Sequence, residues 1–249
     1  MKKILEIKNL KKYYHDKESE TLAIKDLSLN VYENEFISIV GTSGCGKSTL
    51  LSILANLENK SDGEIIFHKN NLKIGYMLQK DSLFPWRTVL ENCLIGPEIE
   101  NTLTEEKRKR VITLLEKYGL KEFINKYPSS LSGGMKQRVA LIRTLATDPD
   151  LLLLDEPLSA LDYQTRLQLS NDLYKIIKEE KKTAIMVTHD LGEAISISDR
   201  IVVLSKRPSI VKVIHNIEYK NRKMPIENRK TEEFNCYYEK IWKDLDINV

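Results

Sequence analysis

A strand that runs directly into a glycine-rich loop and then into a helix constrains this chain more than any other feature. Phe36-Ile37-Ser38-Ile39-Val40 leads into Gly41-Thr42-Ser43-Gly44-Cys45-Gly46-Lys47-Ser48, which fits G-x-x-x-x-G-K-[ST], and the helical stretch Thr49–Leu57 follows. Glycines let the backbone curl so that successive N–H groups point inward, and the helix start adds the positive end of its dipole. Such a loop binds the β- and γ-phosphates of a nucleotide. Lys47 adds a full positive charge there, and the Ser48 hydroxyl is placed to ligate Mg²⁺. Cys45 lies beside Lys47 and a helix N-terminus, a setting expected to favour its thiolate and to make it sensitive to alkylation.

A second segment supplies acid. Leu151-Leu152-Leu153-Leu154-Asp155-Glu156 is an all-apolar run ending in two carboxylates, the pattern of a buried central strand whose C-terminal tip enters a ligand crevice. Asp155 is expected to hold Mg²⁺, directly or through water, and Glu156 to polarise the water that attacks the γ-phosphate.

Composition narrows the class. Of the 249 residues 41% are hydrophobic and 30% charged, as in a globular protein with a real core. Lys+Arg 39 against Asp+Glu 36 leaves +3, too even a balance for polyanion binding by bulk charge, and the whole excess lies from Lys206 onward. Nucleic acid is therefore not an expected partner. No apolar run approaches the ~18 residues of a membrane helix, and Met1-Lys2-Lys3 is followed by alternating residues rather than a signal-peptide core. The 3 cysteines, Cys45, Cys93 and Cys236, are widely spaced with no Cys-x-x-Cys, which fits a reducing cytosol and no zinc site.

Short β segments are expected at Ile4–Leu10, Leu27–Val31, Glu64–Phe67 and Ile74–Leu78, giving a β-rich lobe. Between Pro85 and Pro128 the texture turns helical, with Val111, Ile112, Leu114, Leu115 and Tyr118 on one face. Strands return at Leu151–Leu154, Ala184–Val187 and Ile201–Leu204, separated by helices around Leu161–Glu179 and Leu191–Ser196, as in a parallel sheet with crossover helices. Beyond Lys206 the pattern weakens.

Leu131-Ser132-Gly133-Gly134-Met135-Lys136-Gln137 is a second glycine-containing turn at a helix start, with Ser132 as a natural N-cap. It resembles the signature motif of ABC-type ATPases, and the resemblance extends in order over nearly all of residues 1–205. It implies an α/β fold: the phosphate-loop nucleotidase core of ABC type, with an antiparallel β lobe and a helical subdomain. The implied division is 1–84 and 148–220 for the core with its β lobe, 85–147 for the helical subdomain carrying the signature, and 221–249 for a short C-terminal tail. It also implies ATP and Mg²⁺ as cofactors, with Gly41, Thr42, Ser43, Gly44, Cys45, Gly46, Lys47, Ser48 and Thr49 on the nucleotide. Tyr14 matches the aromatic position that stacks on adenine, with adjacent Tyr13 as the other choice. Gln79 matches the glutamine that senses Mg²⁺ and the attacking water, joining Ser48 and Asp155 at the metal. His189 matches the switch histidine at the γ-phosphate. Ser159-Ala160-Leu161-Asp162 matches the loop that crosses the dimer interface.

In this family the signature contacts the ATP of the other subunit, so the resemblance implies a homodimer formed on nucleotide binding. Lys47 and Ser132 are too close in sequence for the long coiled coils of repair and chromosome-structure relatives, and one unit with a compact insertion is similar to the ATP-binding subunit of an importer. An integral membrane permease and, indirectly, an extracytoplasmic solute-binding protein are then the partners, and the cytoplasmic face of the membrane the location. Leu83-Phe84-Pro85-Trp86-Arg87-Thr88-Val89-Leu90-Glu91-Asn92 and Ser205-Lys206-Arg207-Pro208 resemble the importer subgroup serving nitrate, aliphatic sulfonates and taurine. An importer of a thiamine-precursor pyrimidine or other solute, or a non-transport ABC ATPase, are the alternatives. The stretch from Asp81 to Asn92 is expected to line the permease cleft, with Phe84 and Trp86 either anchoring the permease or packing the insertion onto the core.

Overall fold

In a computed structural model that describes residues 2–15, 20–159 and 161–245, the chain alternates strands and helices around one continuous sheet. The elements are β1 (Lys3–His15), β2 (Glu20–Tyr32), β3 (Phe36–Val40), α1 (Lys47–Leu54), β4 (Asp62–Phe67), β5 (Ile74–Met77), α2 (Val89–Ile99), α3 (Glu105–Lys117) and α4 (Gly133–Leu145). They continue with β6 (Leu151–Asp155), α5 (Tyr163–Glu179), β7 (Thr183–Val187), α6 (Leu191–Ile197), β8 (Arg200–Leu204), β9 (Ser209–Asn216), α7 (Pro225–Asn228) and α8 (Glu232–Asp244).

The strand order is β4-β1-β2-β9-β8-β3-β7-β6-β5. On one side β8, β3, β7, β6 and β5 run parallel; on the other β4, β1 and β2 form an antiparallel lobe joined to β9 by a short parallel contact, Ile24 opposite Ser209. The parallel strands are mostly apolar because both faces are covered, with polar residues such as Asp155, Thr183 and Arg200 at strand ends. Leu152, Leu154, Ala184 and Met186 pack with residues of α2, α3, α4 and α5, whereas Leu151, Leu153, Ile185 and Val187 pack with α1 and the lobe. Gly63, at the start of β4, has φ +87, and a Cβ there would lie 2.5 Å from the Asn9 carbonyl oxygen, so only glycine lets β4 approach β1.

Differences from the sequence expectation have local causes. The helix after the phosphate loop runs from Lys47 to Leu54 rather than from Thr49 to Leu57, and Asn56 just beyond it takes a left-handed φ of 58. Past Lys206, where the sequence pattern weakens, the chain is still ordered into elements: β9 pairs with β8, and Ile241 of α8 and Leu245 just after it share a cluster with Leu191 and Ile195 of α6. Aromatic residues on both faces of α8 and its interspersed Glu and Lys hide that period. Among the described residues no helix is long and apolar enough to cross a membrane.

Candidate functional site

Glycine at position 46 has φ 103 and caps α1, a left-handed turn that starts the helix directly after the loop. The result is a cleft of about 640 Å³, walled by Ser43, Gly44, Gly46, Lys47, Ser48 and Thr49 in the middle, Tyr14, Ala23 and Arg207 from one group of strands, and Gln79, Glu156 and His189 from another. Lys47 is buried, and its ammonium donates to the carbonyls of Gly41 at 2.8 Å and Thr42 at 3.0 Å, across its own loop. Gly41 and Cys45 lie behind the loop rather than on the cleft wall: a Cβ on Gly41 would sit 2.7 Å from Cys45 Sγ. This corrects the expectation for Cys45. Its side chain is 1% exposed, and burial pushes the thiol up despite Lys47 nearby, so it is neither a favoured thiolate nor an open target for alkylation.

The carboxylates occupy distinct settings. Asp155 accepts from the Ser48 hydroxyl at 3.0 Å and from the Tyr76 hydroxyl at 3.3 Å, while burial pushes its carboxyl up against those two bonds. Glu156 has left-handed backbone, φ 44, and its N–H donates to the Val187 carbonyl at 2.9 Å before the chain turns away. Holding a non-glycine residue there costs on the order of 1 kcal/mol, a strain found chiefly where a side chain must be aimed. Glu156 accepts from Gln79 Nε2 at 3.1 Å, and His189 Nδ1 lies 3.1 Å from its other oxygen. Ser159 donates to the Glu156 carbonyl at 3.0 Å. The three expected polar groups, Gln79, Glu156 and His189, thus meet at one end of the cleft.

At the opposite end the Tyr14 hydroxyl donates to Glu58 at 2.7 Å and lies 3.2 Å from the Thr49 hydroxyl, and the Lys12 ammonium sits 4.7 Å from the ring centre. Tyr14 is the cleft residue of the pair; Tyr13 does not line it.

The signature turn does not share the phosphate-loop cleft. Ser132 is exposed and caps α4, accepting from Met135 N–H at 3.3 Å. A Cβ on Gly134 would meet Thr165 at 2.8 Å and one on Gly133 would meet Leu161 at 3.3 Å, so the turn lies against the start of α5. Leu131 is buried in the helical core beside Met135, and Lys136 is half-buried. Gln137 alone of the motif reaches an adjoining hollow that shares Gln79, Glu156 and His189, and its buried Oε1 has no hydrogen-bond partner among the described residues. Asp162 caps α5 through Thr165 N–H at 3.0 Å; the Thr165 hydroxyl and then that N–H hold its carboxyl below the usual range, and the Leu161 carbonyl accepts from Arg166 at 3.0 Å. Ala160 lies outside the described residues.

Sequence reasoning missed Tyr76, Glu58, Ala23 and Arg207 as parts of the site. The strand carrying Tyr76 was expected in the β-rich lobe; instead β5 pairs with β6 in the parallel sheet, which sets the Tyr76 hydroxyl beside Asp155. Ala23 and Arg207 are brought in by the pairing of β2 with β9, and Glu58 by the loop after α1. It also missed how the loop bearing Trp86 is held. Buried Asn92 accepts from Phe84 N–H at 2.7 Å and donates to the carbonyls of Phe84, Arg87 and Thr88, leaving Trp86 70% exposed against Phe84, ring centres 5.2 Å apart. Arg143 of α4 donates to the Asp81 and Ser82 carbonyls at 2.6 and 2.8 Å, tying the segment after Gln79 to the signature helix.

Residues 24–159 match the ABC transporter family. The uncharacterized ABC transporter ATP-binding protein YtlC of Bacillus subtilis (strain 168) is 46% identical over 240 residues, covering 94% of this chain and 92% of that protein. The aliphatic sulfonates import ATP-binding protein SsuB of Bacillus cereus (strain ZK / E33L) is 39% identical over 233 residues, 91% of this chain and 89% of that protein. Among solved structures, a dimeric ATP-binding cassette in a post-hydrolysis state, bound to ADP and Pi, matches with a TM-score of 0.74 at 33% identity, covering 87% of this chain and 100% of that one.

Proposed function

The chain belongs to the ABC transporter family of ATPases, and on that premise we propose that it energises an importer whose cargo is an aliphatic sulfonate, nitrate or a taurine-like solute. One observation carries the catalytic part: Glu156 meets Gln79 and His189 at the end of a cleft whose middle is the phosphate loop. Glu156 is the general base for water attacking the γ-phosphate, oriented by Gln79, with His189 beside the phosphate itself. Lys47 exchanges its loop carbonyls for phosphate oxygens when nucleotide enters. Ser48 and Asp155, hard oxygen donors 3.0 Å apart, suit Mg²⁺, with Gln79 in the same cleft. Among the described residues no cluster of three or more His, Cys, Asp or Glu would hold a metal by itself, which fits an ion completed by phosphate and water.

The exposed Ser132 turn, outside its own chain's phosphate-loop cleft, supports a head-to-tail homodimer in which each signature completes the partner's site. The dimeric neighbour bound to ADP and Pi supports the same reading. Trp86, held outward by the Asn92 staple, supports docking of an integral permease at the Asp81–Asn92 segment, because desolvated aromatics supply much of an interface's energy. The chain then works at the cytoplasmic face of the membrane, with a solute-binding protein acting through the permease. The relative named for aliphatic sulfonates favours an oxyanion as cargo.

The test is ATP-dependent dimerisation of Glu156→Gln by light scattering, together with detergent co-purification of an integral membrane protein by wild type and Trp86→Ala. Expected are an ATP-trapped dimer and a membrane partner lost with Trp86. A protein that stays monomeric in ATP at high concentration, or that retains no membrane protein, overturns the corresponding half of the reading.

A further inference from the structure

Arg207 lies on the cleft wall, and its place follows from strand pairing. β1, β2 and β9 are neighbours in the sheet, Tyr14 opposite Thr21 and Ile24 opposite Ser209. Ser209 donates its hydroxyl to the Ala23 carbonyl at 3.3 Å, and its Oγ lies 3.4 Å from where a Gly46 Cβ would stand. The turn ahead of it is closed by Ser205, whose N–H donates to the Ile210 carbonyl at 3.1 Å and whose hydroxyl accepts from Ile210 N–H at 3.0 Å. Arg207 is carried at the tip of that pinned turn, on the wall it shares with Tyr14 and Ala23.

The guanidinium there has no hydrogen-bond or ion-pair partner among the described residues. Arg143, Arg166 and Arg200 are engaged with carbonyls or carboxylates. An uncommitted cation on the wall of a nucleotide cleft can serve either end of the ligand. Topology decides between them: Gln79, Glu156 and His189 follow β5, β6 and β7 at the far side of β3, whereas Arg207 precedes β9, and Ala23 and Tyr14 lie in β2 and β1, on the near side.

We infer that Arg207 is a nucleotide-binding residue of the base end, its planar guanidinium engaging the purine and ribose together with the Tyr14 ring. This rests on reading the cleft as the ATP site. A planar cation is attracted to an aromatic face and its fork of donors matches ring nitrogens and hydroxyls, whereas Lys47 serves the phosphates. ATP and ADP carry the same base and ribose, so Arg207 holds substrate and product alike and slows the release of both.

Calorimetric titration with ATP and with ADP tests this on the full chain. Arg207→Ala is expected to weaken both nucleotides by the same factor, roughly 3- to 30-fold. Arg207→Lys, which keeps the charge but loses the plane, falls in between, and Lys206→Ala, the exposed neighbour off the wall, binds as wild type. Thermal melting of each variant separates loss of fold from loss of contact; should the alanine variant unfold, the lysine variant carries the comparison. Unchanged affinity in Arg207→Ala overturns the proposal. So does a loss for ATP at least tenfold greater than for ADP, which would assign the cation to the terminal phosphate. Lys47→Ala binding both nucleotides at full strength would instead overturn the ATP-site reading itself.

Discussion

The acid end of the cleft is assembled from the tips of three strands that are neighbours in the parallel sheet, whereas the base end is borrowed from a lobe and a late turn. Backbone pairing aligns Met77 with Leu154 and Asp155 with Val187, so Gln79 and His189, each just beyond its strand, both come to 3.1 Å from the Glu156 carboxylate at the tip of the strand between them. Their polar atoms are committed to each other before any ligand arrives. At the base end Tyr14 leans on Glu58 and Thr49 and is half open, and Arg207 is uncommitted among the described residues. Chemistry demands the tighter construction: a base misplaced by an ångström loses its proton transfer, while a base-stacking platform tolerates it.

The comparison predicts its largest effect at Glu156. Glu156→Gln keeps the size and the contact with Gln79 but removes the proton acceptor, so turnover at saturating ATP should fall about 10²–10⁴-fold. ATP binding measured calorimetrically should stay within a few-fold of wild type. Wild-type turnover in this variant would break the contrast between the two ends, since the acid end would then hold nothing the chemistry needs.

A pH effect should follow from what braces the acid end from behind. Thr188 donates to Glu193 at 2.8 Å and accepts from Asp190 N–H at 3.0 Å, Asp190 caps α6 through Glu193 N–H at 3.0 Å, and His189 sits between them. Arg166 of α5 lies 3.2 Å from Asp190 and 3.6 Å from Glu193, and Arg229 packs beside Gly192. Burial pushes the Glu193 carboxyl up to about 7 and the Asp190 charge adds to it, against the opposing pull of Thr188, Arg166 and Arg229. The folded chain therefore holds this proton where the unfolded chain has released it. Its contribution to stability is complete below the unfolded value of 4.5 and is lost as the pH rises through about 7. Between about pH 5 and pH 8, Glu193→Gln should gain on wild type by on the order of 2–3 kcal/mol, or about 5–10 °C in Tm. A pH-independent difference in Tm would show the carboxylate ionised throughout by its two arginines.

The unequal construction also explains what could be read in the sequence. Gly41–Ser48, Leu151–Glu156 and Leu131–Gln137 are contiguous motifs whose chemistry needs a fixed spacing, and Gln79 and His189 follow short apolar strands. Tyr14 was legible only through resemblance, because an aromatic at the end of a strand has many structural uses. Arg207 and Ala23 were invisible as site residues, since the pairing of β9 with β2 joins segments nearly the whole core apart in sequence. Cys45 shows the opposite failure: its neighbours in sequence suggested a reactive thiol, but the turn of the loop sends the side chain into the core. Helix α8 was illegible for a third reason, its buried stripe being interrupted by exposed aromatics such as Tyr238 and Trp242.

The smallest effect is expected at Tyr14, and it separates ring from hydroxyl. With Tyr14 as the adenine platform, Tyr14→Ala removes a stacking surface worth about 1 kcal/mol or a little more, so affinity should fall by roughly 5- to 10-fold for ATP and ADP equally. Tyr14→Phe keeps the ring and removes only the bonds to Glu58 and Thr49. Those bonds reach the start and the far side of α1 and steady the platform without touching the purine, and in so open a setting a lost hydroxyl costs about 1 kcal/mol at most. Phenylalanine should therefore cost affinity less than alanine does, about 2-fold, and the whole loss should appear in binding rather than in turnover at saturation. If Tyr14→Phe matched Tyr14→Ala, the hydroxyl network rather than the ring would set affinity, and the base end would share the preorganised hydrogen bonding of the acid end.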